Sequence, residues 1–126
     1  KVALLAADDS EVVSTTPAAD GTFTLTAAPA EYKLRISLPG YLTAEKTVTL
    51  VSDQTLEAGS VTLPAGDING DAKIDPLDVM DLGTAYNSDP IPPALVNADL
   101  NFDGKVNLLD LVLLAINYRK TGPISW

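Results

Sequence analysis

Asp67-Ile68-Asn69-Gly70-Asp71-Ala72-Lys73-Ile74-Asp75-Pro76-Leu77-Asp78 is the stretch that decides the reading, and Asp99-Leu100-Asn101-Phe102-Asp103-Gly104-Lys105-Val106-Asn107-Leu108-Leu109-Asp110 repeats it. Side-chain oxygens stand at loop positions 1, 3, 5, 9 and 12. They are Asp67, Asn69, Asp71, Asp75 and Asp78 in the first loop and Asp99, Asn101, Asp103, Asn107 and Asp110 in the second. A hard cation such as calcium takes roughly six to eight oxygen ligands. This spacing curls the backbone so that alternate side chains and the position 7 carbonyl, of Lys73 or Lys105, converge on one point. Two loops imply two calcium ions. Together they carry seven carboxylates, which repel one another unless cations stand between them, so folding of this part is expected to depend on calcium.

Each loop runs into a helical pattern. Asp75 and Asn107 suit the N-cap, Pro76 suits the first helical position, and Asp78 and Asp110 complement the helix N-terminus as well as a metal. Helices are predicted from about Pro76 to Tyr86 and from about Leu108 to Tyr118. The position 8 residues, Ile74 and Val106, are expected to pair the two loops through a short strand-like contact.

Ahead of Pro64-Ala65-Gly66 the grammar changes to period two. Val2–Ala6, Thr22–Thr26, Tyr32–Leu38, Thr47–Val51 and Ser60–Leu63 read as strands,. Asp20-Gly21, Pro39-Gly40 and Ser52-Asp53-Gln54 are the turns between them,. An antiparallel sandwich of roughly six strands in two thin sheets is expected from the need to cover each apolar face. The division falls into residues 1–65, an all-β module, and residues 66–126, an all-α module built on the paired loops. The connection is too short for a flexible tether, so contact between the two modules is expected.

Composition excludes much else. The chain has no His and no Cys, which removes imidazole bases, thiol nucleophiles, the usual zinc ligands and disulfides. Every close group of Asp is accounted for by metal spacing, so no catalytic residue is assigned and an enzyme is not expected. Four basic and eight acidic side chains precede Gly66, and four basic and nine acidic follow from it, with no basic stripe. Nucleic acid and membrane insertion are therefore not expected. Seven scattered aromatic residues form no row for stacking sugars.

Two resemblances add to this. Asp20-Gly21, Phe23, Pro29-Ala30, Tyr32 and Pro39-Gly40-Tyr41 stand in the order found in the carboxypeptidase-regulatory-like β-sandwich, and residues 1–65 resemble it. That likeness implies a spacer or adaptor role and a missing first strand. Gly66 to Ser88 and Ala98 to Lys120 resemble the duplicated segment of the dockerins, a calcium loop followed by one helix, and Pro92 to Asn97 fits the short helix between the copies. A strand-like lead-in and Asp at both twelfth positions favour a dockerin over an EF-hand, which has a helix ahead of the loop and usually Glu at position 12.

The dockerin resemblance implies a cohesin domain as partner, an extracellular or cell-surface setting and a role in anchoring a parent protein to a scaffold. It places recognition on Pro76, Leu77, Gly83 and Thr84 in the first repeat and on Leu108, Leu109, Ala115 and Ile116 in the second. Pro76-Leu77 and Leu108-Leu109 stand where type I dockerins commonly carry a hydroxyl pair. Leu108-Leu109 is more similar to the type II group, which often follows a small sandwich called the X module. The repeats differ at these positions, so one binding orientation is expected. The alternative is a calcium-stabilised structural cap with no external partner. Trp126, the only Trp, is expected to fold back onto the modules.

Overall fold

The computed structural model describes residues Lys1–Trp126. Its elements are β1 (Val2–Leu5), β2 (Glu11–Thr15), β3 (Glu31–Ile36), β4 (Gly40–Tyr41), β5 (Ala44–Thr49), β6 (Ala65–Asp67), α1 (Pro76–Ala85), a 3-10 helix (Pro93–Ala98) and α2 (Leu108–Asn117). The chain divides into two compact units. Unit 1 comprises Lys1–Ser37, Thr43–Thr62 and Ile124–Trp126, and unit 2 comprises Leu38–Leu42 and Leu63–Pro123.

Unit 1 is an antiparallel sheet of strand order β2-β1-β3-β5. The central place of β1 follows from its sequence: Val2-Ala3-Leu4-Leu5 has no polar face, and all four side chains are buried,. β3 alternates instead, with Tyr32 and Leu34 buried and Lys33 and Arg35 half-exposed,. Arg35 stands opposite Glu45 on β5 and its Nε donates to Oε1 at 2.6 Å. Val2, Leu4, Tyr32, Leu34 and Val48 make the core of this unit.

The expected second sheet is corrected. Thr22–Thr26 and Ser60–Leu63 are not strands, and Glu11–Thr15, not singled out from the sequence, is one. Phe23, Leu25, Ala27, Leu50 and Ala58 still pack over the sheet core, from irregular extended chain. Their alternation therefore reports burial of one face, while a ladder also needs a partner strand, which these segments lack. The turns fall where expected: Thr22 N donates to Asp20 Oδ1 at 2.9 Å, and Gln54 N donates to Val51 O at 3.3 Å.

The tail closes on this unit. Ile124 bridges Ala44 in parallel, with Ile124 N to Thr43 O and Glu45 N to Ile124 O both at 2.8 Å. This occupies part of the outer edge of β5, which would otherwise present unpaired backbone groups. Trp126 folds back here: its Nε1 donates to Ala58 O at 3.2 Å and the Lys46 ammonium lies 5.5 Å from its ring centre,.

Unit 2 packs α1, the 3-10 helix and α2 around one core. Its buried side chains recur in the two repeats as Ile68 and Leu100, Ile74 and Val106, and Leu82 and Leu114. The helix bounds lie within one residue of those predicted. Asp75 accepts from Leu77 N at 2.8 Å and Asn107 from Leu109 N at 2.9 Å, each within a reciprocal capping box closed by Asp78 or Asp110,.

One segment well ahead of the repeats, Leu38–Leu42, completes unit 2. β4 pairs antiparallel with β6, Gly40 opposite Asp67 and Tyr41 opposite Ala65. Leu42 is fully buried in the same core. Gly40 has φ +82°, and a Cβ there would stand 2.7 Å from Asn97 O, so glycine is required on both counts,.

Candidate metal loops and exposed helix faces

The two loops are built by the same local bonds. In the first, Asp71 N donates to Asn69 Oδ1 at 2.9 Å, Ala72 N to Asp67 Oδ2 at 3.1 Å and Lys73 N to Asp71 Oδ1 at 3.0 Å. In the second, Asp103 N donates to Asn101 Oδ1 at 3.2 Å, Gly104 N to Asp99 Oδ2 at 2.9 Å and Lys105 N to Asp103 Oδ1 at 2.9 Å. Asp and Asn suit positions 1, 3 and 5 because a short side chain with an oxygen reaches amides two to five residues further along the chain,.

Position 12 is the most enclosed. Asp78 and Asp110 are both fully buried. Asp78 accepts from Ile68 N at 2.8 Å, Asn69 N at 3.2 Å and Asp75 N at 2.8 Å. Asp110 accepts from Leu100 N at 2.8 Å, Asn101 N at 3.3 Å and Asn107 N at 2.8 Å. Three amide donors apiece offset part of the cost of burying these carboxylates.

Asp67 is enclosed with less of that compensation, since only its Oδ2 accepts, from Ala72 N. It is 6% exposed, and its Oδ1 is the buried side-chain polar atom with no hydrogen-bond partner. Burial pushes its carboxyl above the usual range; the Ala72 N–H acts against this, and the nearby Asp78 carboxylate adds to it,. A buried carboxylate oxygen left unpaired beside a second carboxylate is a place where a divalent cation fits, because the ion supplies both the missing partner and the missing charge.

The frame is thus in place around each loop, while the acidic side chains themselves are not drawn to a common centre. No set of three or more acidic groups stands in metal-holding proximity. Asn69, Asp71, Lys73, Asn101, Asp103 and Lys105 are exposed, and Asp75, Asp99 and Asn107 are half-buried. Amide oxygens and the carbonyls of Lys73 and Lys105 complete the oxygen set that the spacing offers to calcium.

The expected pairing of Ile74 with Val106 is corrected. Arg119 N donates to Ile74 O at 2.8 Å and Ile74 N to Lys120 O at 2.9 Å, whereas Asn87 N donates to Val106 O at 2.8 Å. Each position 8 backbone is bonded to the chain that follows the other repeat's helix. Both side chains point into the shared core, so the loops are joined there by packing rather than by a ladder.

The helices turn an apolar face outward. On α2, Leu108, Leu109, Val112 and Ile116 are 60%, 59%, 49% and 67% exposed, while Leu114 is buried. On α1, Leu77 and Met80 are likewise exposed, opposite the buried Leu82 and Ala85. Pro76, Gly83, Thr84 and Ala115 are exposed too, so all eight sequence-predicted recognition positions lie at the surface.

Residues 1–64 match the carboxypeptidase regulatory-like domain model, and residues 65–118 match the dockerin type I domain model. The chain belongs to the carboxypeptidase regulatory-like family and carries a dockerin behind that domain. It is similar to an N-terminal interface mutant of a type II cohesin–X–dockerin complex from Acetivibrio cellulolyticus, with 29% identity and a TM-score of 0.60 over 76% of this chain and 67% of that one. A C-terminal interface mutant of such a complex from the same organism is 30% identical, with a TM-score of 0.61 over 75% of this chain and 66% of that one. The chain spans about two thirds of the length of those chains. No curated protein matches it.

Sequence reasoning missed two residues that touch the dockerin loops. Tyr41 Oη donates to Leu100 O, and its ring stacks on Phe102 with centres 6.1 Å apart. Burial, with the Asp110 and Asp99 carboxylates nearby, pushes its phenol above the usual range. Asn97 Nδ2 donates to Ile68 O at 3.4 Å. Nothing local marks the contacts of either residue: the sequence reads Tyr41 as a core or strand-edge residue after the Pro39-Gly40 turn, which its place on β4 matches, and Asn97 only as the end of a short helix. No helix of the dockerin or of the rest of the chain is long and apolar enough to cross a membrane.

Proposed function

We propose that this chain is a non-catalytic docking module. Along the sequence, residues 66–126 act as a dockerin loaded with two calcium ions that binds a cohesin domain, and residues 1–65 act as its X-module-like companion. The bound cohesin anchors the parent protein, outside the cell, to a scaffold or surface. The observation that carries this reading is the apolar stripe Leu108, Leu109, Val112 and Ile116, exposed on a helix whose opposite face is already buried. One helix face suffices for the core, and a contiguous apolar patch left in water is suited to burial against a partner.

Two further points support it. The similar structures are described as complexes of a type II cohesin with an X–dockerin pair. Pro76-Leu77 and Leu108-Leu109, apolar at positions 10 and 11, favour a type II cohesin over a type I partner, although the matching family model bears the type I description. Within this reading Leu108 and Leu109 are central, Ala115 and Ile116 extend the patch, and Pro76, Leu77, Gly83 and Thr84 lie on the other helix.

Calorimetric titration of the full chain with a type II cohesin tests this, in calcium and in excess chelator. Binding is expected in calcium alone. The double variant Leu108→Asp, Leu109→Asp is expected to lower affinity at least a hundredfold, since desolvated apolar anchors dominate such interfaces. Unchanged affinity in that variant, with calcium binding intact, places the interface elsewhere.

A further inference from the structure

The carbonyl at position 2 of each loop is held by a side chain from outside that loop. Ile68 O accepts from Asn97 Nδ2, and Leu100 O accepts from Tyr41 Oη. The N–H on the far side of the same peptide, that of Asn69 or Asn101, donates to the position 12 carboxylate. One peptide plane is therefore gripped at both ends, by an anchor on one side and by Asp78 or Asp110 on the other. A peptide free to rotate about its flanking bonds would lose alignment with the carboxylate that it orients.

The two anchors differ in kind. Asn97 lies between the repeats and reaches Ile68 at the long distance of 3.4 Å. Tyr41 lies ahead of both repeats, on β4, which is itself fixed by pairing with β6. Its ring also covers Phe102 at position 4, a non-glycine residue held at φ +59°, a backbone region unfavourable for an L-residue. The hydroxyl holds the peptide while the ring holds the residue two places on.

We propose that Tyr41 is a positioning residue for the second calcium loop, with Asn97 in the corresponding place for the first, so that different side chains set the two affinities. This rests on the reading that the loops bind calcium. Tyr41 touches no ligand atom in this scheme and acts through the peptide that orients Asp110. A dockerin fragment that begins at Ala65 lacks it, and its second loop binds calcium more weakly than in the full chain.

The test follows the amide signals of Ala72 and Gly104 by NMR during a calcium titration of the full chain against a competing chelator. These two amides donate to the position 1 carboxylates, Asp67 and Asp99, and so report one loop each. Tyr41→Phe keeps the ring and removes only the hydroxyl. It is expected to weaken the second loop about fivefold, the equivalent of one net hydrogen bond, and to leave the first unchanged. Asn97→Ala is expected to do the reverse, by about threefold given its longer bond. Equal shifts in both loops, or none in either, for Tyr41→Phe overturn the proposal. If neither amide responds to calcium in the unaltered chain, the calcium reading falls first and this proposal with it.

Discussion

The first loop and the second share the bonds at positions 1, 3, 5 and 12, yet they sit in different surroundings. In the first, Asp67 is buried with an orphaned oxygen; in the second, Asp99 is half-buried and both of its oxygens accept, from Asp103 N at 3.2 Å and Gly104 N at 2.9 Å. Glycine stands at position 4 in the first loop and at position 6 in the second, so each keeps one non-glycine residue in the left-handed region, Ala72 or Phe102. Ahead of the loops stand Gly66 and Ala98. Local spacing thus fixes the ligand frame, and distant segments decide how much each frame needs a cation.

Removal of calcium is the largest expected perturbation. At calcium about a thousandfold above the dissociation constant, each site adds about 4 kcal/mol to the folded state. Chelation should therefore lower the thermal midpoint of unit 2 far more than that of unit 1, as seen by calorimetry with and without EDTA. Equal midpoints would break the comparison at its root.

Next come the first ligands. In the chelated chain, Asp67→Asn is expected to raise stability by about 1–2 kcal/mol, because it removes a buried charge with one oxygen unpaired,, whereas Asp99→Asn should change it by less than half as much. In calcium the sign reverses for both, since each loses a charged ligand. Urea unfolding in the two conditions measures all four values. Similar gains at both sites would mean that the difference in burial carries no energetic weight.

Gly66→Ala is expected to cost about 1–3 kcal/mol by the same measurement, since an added Cβ would stand 2.9 Å from Ile74 Cγ2 at a backbone φ of +131°,. Ala98, fully buried at the equivalent position, already carries its Cβ without conflict. The smallest effect is a gain: Ala72→Gly, at φ +66°, should stabilise the first loop by about 0.5–1 kcal/mol, bringing it to the choice made at Gly104,. No gain there would show that the left-handed turn is fully supported by its neighbours.

What could be read from the chain was the local part. The oxygen spacing of the two loops, the N-caps Asp75 and Asn107 and the two helices depend on residues within a few places of one another, and the sequence announces them. The crossed bonding of Ile74 and Val106 was misread because partners at 119 and 87 are set by packing of whole repeats. Thr22–Thr26 has the alternation of a strand, but no neighbour lies in register to pair with it. The enclosure of Asp67 and the place of Tyr41 and Leu42 within unit 2 depend on how β4 meets β6, which periodicity does not encode.

The exchange at position 8 has a consequence for how such a unit can come to exist. Because each copy closes its backbone on the tail of its sibling, a lone copy would leave the Ile74 N–H and C=O, or the Val106 C=O, without these partners. Duplication here is therefore a condition of closure, and a molecule with one copy could meet it only by finding a second molecule like itself.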